Sequence, residues 1–357
     1  MTETPRIPIR NIYYLFLYAW NRFEEGKALA MGAECSPDLP NLLARVLLSG
    51  TRSLVRRGLD RGYHPFEEDL ATIRGKIELE GTVALRARHV PRVSCSFDEL
   101  SHDVLPNQII KATLARLGRS QNIDVGLGQQ LRQLTRSLSD ISDIRLTAGA
   151  FARVRLHRNN AYYDLLLRVC RLAFDLMLPD VNGSGFAFTD VLRDERKMAA
   201  VFEEFVRNFY RTEQRQFRVK PLQLQWAATP IGFTQFRLPT MRTDIYLESD
   251  TRRIIIDTKY YANALQHYQG SESFRSDNLY QLFAYLRNDA LSLAHAISAE
   301  GMLLYPTTAY PLDEQFVIDD HPVRIATVDL SEPWHLIDGK LRSLANSPGP
   351  TRERNQT

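Results

Sequence analysis

Two β-prone runs, Thr243–Glu248 and Arg252–Thr258, flank a polar Ser249-Asp250-Thr251 turn, the pattern of a β-hairpin. With the turn centred between Asp250 and Thr251, Asp244 stands opposite Asp257, and directly opposed residues of an antiparallel pair share a face. Lys259 lies two positions beyond Asp257 and falls on the same face. A slip of one residue would undo this arrangement. Two facing carboxylates repel and are costly to bury, and a divalent cation removes that cost. An oxygen-rich site of this kind, completed by carbonyl and water oxygens, suits Mg²⁺. A lysine beside the ion can orient or deprotonate an attacking water and stabilise charge developing on a phosphate. The competing reading is a pair of strand-end carboxylates neutralised by Arg242 and Lys259.

Other chemistry-bearing residues are fewer. Gln281 and Tyr285 are spaced i, i+4 within Asn278-Leu279-Tyr280-Gln281-Leu282-Phe283-Ala284-Tyr285, which places both on one face of a helix; they serve either the site or ordinary packing. Glu203 and Glu204 fall on an expected helix over 195–214 and read as its solvated face. No two histidines have His-x-x-x-His spacing, and His267 reads as a surface residue in a loop from 260 to 273. There is no Gly-x-x-x-x-Gly-Lys-Ser/Thr motif, so nucleotide hydrolysis, where needed, falls to a partner.

The elements that must position these residues follow from hydrophobic periodicity. Ile12–Trp20 reads as a buried helix with Asn11 as its N-cap, and a second helix runs over 39–58. Between 61 and 95, short alternating runs separated by Gly62, Pro65, Gly75, Gly81 and Pro91 imply a small β-rich projection. Helices resume at 107–119 and 125–138, and a loop at His157–Asn160 suggests a boundary. The second half is expected to hold helices over 162–178, 195–214, 276–288 and 334–344. Its strands are expected near 217–226, 231–237, 242–248, 252–258, 301–305, 315–318 and 324–329, with a Gly/Asn turn over 179–185. This organisation is α/β (α+β): a mixed α/β N-terminal domain over 1–160, a second α/β domain with a central mixed sheet flanked by helices over 161–347, and a disordered polar tail over 348–357.

Composition narrows the class. The chain has 357 residues, 44% hydrophobic and 24% charged, which is ordinary for globular domains and too apolar for a disordered chain. Its formal net charge of +3 divides into +6 over residues 1–160 and −3 over 161–357. Of 45 basic residues only seven are lysine, and Lys259 is one of them. The arginine bias suits phosphate recognition and equally a GC-rich genome. The widely spaced Cys35, Cys95 and Cys170 fit neither a metal site nor a disulfide framework, as expected of a reducing cytoplasm. The N-terminus does not read as a signal peptide. The most apolar helical stretch is broken by Asp164, Arg168, Arg171 and Asp175, so no membrane span is expected.

Asp…Asp-x-Lys on adjacent strands resembles the metal site of PD-(D/E)XK nucleases, and a following Gln-x-x-x-Tyr helix resembles their RecB-like branch. The likeness extends along the chain. Ile7–Leu15 with Tyr18-Ala19-Trp20, Arg57-Gly58-Leu59 with Tyr63, Arg74-Gly75-Lys76-Ile77, Phe97-Asp98-Glu99-Leu100 and Asn107–Lys111 resemble the McrC family, the nuclease subunits of McrBC modified-cytosine restriction systems. So do Arg193-Asp194-Glu195 with Met198, Met241-Arg242-Thr243-Asp244, Ile256–Tyr261 and Asn278–Leu282. The resemblance implies a PD-(D/E)XK fold for the second domain and Mg²⁺ held by Asp244, Asp257 and the Thr258 carbonyl. It implies Lys259 positioning water, Gln281 and Tyr285 orienting the site or the DNA backbone, and a helix glutamate such as Glu203 as an occasional further ligand. Residue 258 is Ala or similarly small in the family; Thr258 leaves metal binding unhindered. It further implies a McrB-like AAA+ GTPase ring as partner, which binds the GTP and reads double-stranded DNA containing modified cytosine. The N-terminal domain would dock into that ring and stimulate it, with the basic stretch of Arg74, Lys76, Arg86, Arg88 and Arg92 as candidate contact. Two alternatives stand beside this: a self-sufficient RecB-like repair nuclease, and a non-catalytic activator of a AAA+ GTPase.

Overall fold

The Arg253–Thr258 run is buried along its whole length, the mark of a strand covered on both faces. In the computed structural model it is a central strand of a six-stranded mixed sheet. The sheet order is Asp313–Ile318, His321–Asp329, Glu300–Thr307, Arg253–Thr258, Ile245–Glu248, Arg218–Lys220. Arg253–Thr258 pairs parallel with Glu300–Thr307, which pairs parallel with His321–Asp329; the other three pairings are antiparallel. A parallel pair cannot be closed by a tight turn, and helix Ser276–Ser292 lies in the crossover between its first two members. The structure describes residues 7–30, 36–156, 160, 162–179, 186–188, 194–233, 235–260, 265–268, 271–292, 298–307 and 311–347.

Period-2 alternation divides the sheet's side chains between two cores. Ile254, Ile256, Met302 and Leu304 point to the face covered by Leu15, Tyr18, Phe202, Phe205 and Phe209. Ile255, Leu303 and Tyr305 point to the face covered by Leu282, Tyr285 and Leu286 of the crossover helix. The first face is closed by helix Glu195–Glu213, helix Ile9–Ala19 and helix Trp334–Asn346. Tyr18 anchors it: the ring stacks on Phe23 and Trp334 with centroids 4.2 and 5.5 Å away, and its hydroxyl donates to Glu213 Oε1 at 2.8 Å.

The chain folds as two units, residues 28–189 and a second made of 1–27 together with 190–357. This corrects the boundary expected near 160. Helix Ile9–Ala19 belongs with the far half of the sequence because Tyr18 is buried against Phe205, Phe209 and Trp334. Asn11 is not its N-cap, a place taken by Pro8 without a side-chain bond; Asn11 Nδ2 instead donates to the carbonyls of Leu330 and Glu332 at 2.9 and 2.8 Å.

The 28–189 unit is built on helices Leu39–Arg57, Leu105–Leu117, Val125–Ser137, Ala148–Arg153 and Tyr163–Leu176. Asp38 caps the first through the Asn41 amide at 2.8 Å, and Gly58, at φ 92°, ends it, a conformation that glycine adopts without strain. The β-rich stretch is a three-stranded antiparallel sheet, Gly62–Leu70, Val93–Ser101, Lys76–Ile77, carrying a helix over Leu79–Ala87 with no buried residue. Gly81, expected as a breaker, is inside that helix, where a Cβ would meet the Ser94 side chain at 2.6 Å. No strand forms over the described part of 231–237; Ile231 and Phe233 are 106% and 99% exposed, and an alternating pattern without a partner strand has nothing to pair with. The Leu265–Tyr268 and Ser271–Phe274 strands form a hairpin where a loop is expected. The expected tail over 348–357, residues 180–185 of the Gly/Asn turn, 157–159, Cys35, Arg193 and Tyr261 lie outside the described residues. Among the described residues no helix is long and apolar enough to cross a membrane.

Behind the central strand, Arg253 pairs with Asp289 of the crossover helix at 2.8 Å, with the two side chains 4% and 0% exposed. Removing one member of a buried pair strands the other charge. Arg253→Met is therefore expected to lower unfolding stability by about 3–5 kcal/mol, and adding Asp289→Leu to restore most of it; urea denaturation of the three variants checks both.

Candidate active site

The hairpin register matches the one expected from the turn. Arg253 opposes Glu248, and the ladder continues to Ile256 opposite Ile245, so the next positions in the same register are Asp257 and Asp244. Asp244 stands immediately before strand Ile245–Glu248, and Asp257 is the penultimate residue of its own strand. The sheet thus brings two carboxylates to the same end of two neighbouring strands.

Their environments differ. Asp257 is wholly buried, and among the described residues its carboxylate has no partner other than Lys259. Its nearest compensation is Lys259 Nζ, 2.9 Å from Oδ2. Burial pushes its carboxyl up to about 7, against the pull of Lys259, with the negative charges of Asp244 and Glu203 raising it further. Asp244 is held firmly: its Oδ2 accepts from the Thr258 amide at 2.8 Å and from Thr258 Oγ1 at 2.9 Å, while its own carbonyl accepts from Arg207 Nε at 2.9 Å.

The crossover helix completes the arrangement. Lys259 Nζ donates to Gln281 Oε1 at 2.9 Å, Gln281 Nε2 donates to Tyr285 Oη at 2.7 Å, and Tyr285 Oη donates to the Arg242 carbonyl at 3.0 Å. The chain of bonds runs from one strand through the helix and back to the residue two before Asp244. All five side chains expected at the site are therefore brought together, and Arg242, offered in the competing reading as a partner for a carboxylate, takes part through its carbonyl.

Two contributors were not anticipated. Thr258 takes part through its amide and hydroxyl, a role hidden behind the carbonyl expected of it. Arg207 is a buried guanidinium on helix Glu195–Glu213, bonded to Glu203 and, at 2.6 Å, to Glu204 as well as to the Asp244 carbonyl. Glu203 and Glu204 are thus not a purely solvated face, and burial together with the Asp244 charge holds the Glu203 carboxyl above its ordinary value. The signal was the i, i+4 and i, i+3 spacing of Glu203 and Glu204 to Arg207.

Among the described residues no three His, Cys, Asp or Glu side chains gather into a closed metal cage. That suits a cation that keeps several of its waters and takes only one or two carboxylates. Asp257 Oδ1, buried and without a partner among the described residues, and the facing Asp244 carboxylate are oxygen donors of the kind such an ion takes, and Lys259 alone offsets the buried Asp257 charge. The site fits Mg²⁺.

Known proteins share this chain's sequence and fold. Residues 12–306 match the family model described as "McrBC 5-methylcytosine restriction system component". A chain of Escherichia coli strain K12, "Type IV methyl-directed restriction enzyme EcoKMcrBC", is 33% identical over 341 residues, covering 95% of this chain and 97% of its own. Among solved structures, one titled "Refined half-complex from tetradecameric assembly of Thermococcus gammatolerans McrB AAA+ hexamers with bound McrC" aligns at a TM-score of 0.58. Its identity is 21%, over 94% of this chain and 76% of the other, a likeness of fold.

Asp257 binds its proton more tightly in the folded chain than in the unfolded one, where its value is 3.8. Metal-free stability is therefore fully present below about pH 4 in this respect and falls as pH rises through about 7, by up to roughly 4 kcal/mol. Asp257→Asn should raise the melting temperature of the metal-free protein at pH 8 and abolish any further rise on adding Mg²⁺. Thermal melts with EDTA and with Mg²⁺ read out both effects.

Proposed function

The chain belongs to the McrBC 5-methylcytosine restriction system component family, and on that footing we propose that it is a McrC-like nuclease subunit, a Mg²⁺-dependent endonuclease that cleaves DNA phosphodiester bonds. The observation that carries this reading is the buried Asp257 carboxylate, opposed to Asp244 and offset only by Lys259 Nζ at 2.9 Å. A partner ring of the McrB AAA+ GTPase type supplies nucleotide hydrolysis and the reading of modified cytosine, consistent with the absence of a phosphate-binding Gly-x-x-x-x-Gly-Lys-Ser/Thr loop from this chain. The 28–189 unit, with Arg74, Lys76, Arg86, Arg88 and Arg92 around its small sheet, is the docking and stimulating part.

Mg²⁺, when bound, supplies Lewis acidity toward the scissile phosphate and its attacking water. Asp244, Asp257 and the Thr258 carbonyl would hold it. Thr258 fixes one Asp244 oxygen through two hydrogen bonds, so the other would be the one free to serve as a ligand. Lys259, set between Asp257 and Gln281, places a positive charge and an N–H donor where a phosphate oxygen and the water meet. Gln281 and Tyr285 tie that lysine to the backbone two residues before Asp244. In-line attack leaves a 5′-phosphate.

Asp244→Ala and Lys259→Ala should each lower cleavage of modified DNA by at least ~100-fold, the scale of losing a transition-state contact. The assay contains the partner and GTP, and stimulation of GTP hydrolysis should stay within about twofold of wild type because the docking unit is untouched. Wild-type cleavage in both variants would leave the chain as an activator only, and cleavage by the purified chain with Mg²⁺ alone would make it a self-sufficient nuclease. Thr258→Val keeps the amide bond to Asp244 but removes the hydroxyl, and should slow cleavage by ~10-fold, as expected for one hydrogen bond to a charged group; Thr258→Ser should recover most of the rate.

A further inference from the structure

Outside the carboxylate site, positive charge is most concentrated in the 28–189 unit. A cavity of about 990 Å³ opens among its 105–117, 125–137 and 163–176 helices, and its lining holds five cations, Lys111, Arg116, Arg119, Arg136 and Arg145, against two carboxylates, Asp143 and Asp175. Both carboxylates are already committed: Asp143 lies 3.0 Å from Lys111 Nζ, and Asp175 lies 2.8 Å from Arg171 Nε. The inner cations are fixed in place. Lys111 is buried and donates to the Ile141 carbonyl. Arg116 donates to the Met177 carbonyl at 2.9 Å and lies over the Phe174 ring, 5.4 Å from its centroid.

The outer arginines are different. Arg119, Arg136 and Arg145 are all exposed, and none forms an ion pair among the described residues. Folding gains nothing from three uncompensated like charges at one mouth, and their combined field draws anions toward it. Guanidinium forks match phosphate oxygens in geometry. The same lining holds Ile144, Leu146 and Phe174, the last half-buried with the Phe151 ring 5.5 Å away. Guanidinium groups, apolar and aromatic side chains and a volume in the range of small-molecule sites together suit a ligand that carries both phosphate and a flat ring.

We propose that this cavity binds a nucleotide unit, with phosphate on Arg119, Arg136 and Arg145 and the base against Phe174. The unit comes either as a free nucleotide or as part of a single strand. This site is independent of the nuclease reading, since none of its residues belongs to the carboxylate site.

The test uses the full chain in EDTA, so that no metal-dependent hydrolysis intervenes. Fluorescence anisotropy is measured with a fluorescein-labelled oligothymidylate of about 12 nucleotides, within the usual range for strand-binding sites, and separately with mant-GDP and mant-ADP. Arg119→Ser/Arg136→Ser/Arg145→Ser is compared with the same three positions changed to Lys. The serine variant should bind at least one probe fivefold or more weakly than wild type, with a shallower salt dependence by about two phosphate contacts; the lysine variant should keep most of the affinity. Loss confined to the oligothymidylate assigns a strand, and loss with a mant-nucleotide assigns a free nucleotide. A change of less than fivefold for every probe overturns the proposal. If the triple serine variant melts early, Arg145→Glu alone, at an exposed position outside any helix, carries the same comparison and the same threshold.

Discussion

A carboxylate with no exposed surface and a single lysine to offset its charge is the constraint around which the carboxylate site is organised. Burying Asp257 beside Asp244 opposes folding, and each neighbouring interaction answers some part of that opposition. Lys259 supplies the nearest positive charge. Thr258 draws one Asp244 oxygen away from Asp257 by donating two hydrogen bonds to it. Arg207 brings a buried guanidinium to the Asp244 backbone and carries Glu203 and Glu204 with it. Of these only Lys259 meets an Asp257 oxygen directly, Oδ2, and Oδ1 is left without a partner among the described residues.

The same constraint explains why the site is spread over three layers. The strand pair sets the distance between the carboxylates, because opposed positions of an antiparallel ladder are fixed by backbone hydrogen bonds. The crossover helix sets the lysine, because Gln281 and Tyr285 stand one turn apart and reach from Lys259 to the Arg242 carbonyl. Helix Glu195–Glu213 sets Arg207 from the other face, and its position depends on Tyr18, Phe205 and Phe209 packing together. Ile7, Leu15, Tyr18 and Phe23 therefore bear on the site without touching it: they complete the core beneath the helix that holds Arg207.

What was legible in the sequence follows from what is local. The Asp244–Asp257 opposition depends on one short turn and a period of two, so the register was readable. Gln281 and Tyr285 depend on helical spacing and were readable too. Arg207 was not singled out because its partner carbonyl lies 37 residues away, on an element whose placement against the helix no periodicity encodes. Asn11 has the composition of an N-cap, yet its amide serves carbonyls more than 300 residues on. The boundary near 160 failed for the same reason: a loop is visible in sequence, but the return of residues 1–27 to the far unit is a long-range pairing. The 231–237 stretch shows the converse, an alternating pattern that is locally a strand and finds no partner.

These cases separate two kinds of functional residue. Asp257 opposes stability where it stands, because burial disfavours its charge, whereas Asp244 is hydrogen-bonded in place. Thr258, Arg207, Gln281 and Tyr285 are ordinary polar residues whose bonds are satisfied within the fold, and their contribution is to hold the first pair at fixed separation. Chemistry at a site loose by about 1 Å is slowed severely, so under the proposed function such positioning matters as much as the carboxylates themselves. It also follows that the positioning residues can vary in type as long as the bond they make is kept. Thr258, a hydroxyl-bearing residue between Asp257 and Lys259, uses its side chain for a bond to Asp244 that an alanine there would leave to the backbone amide alone.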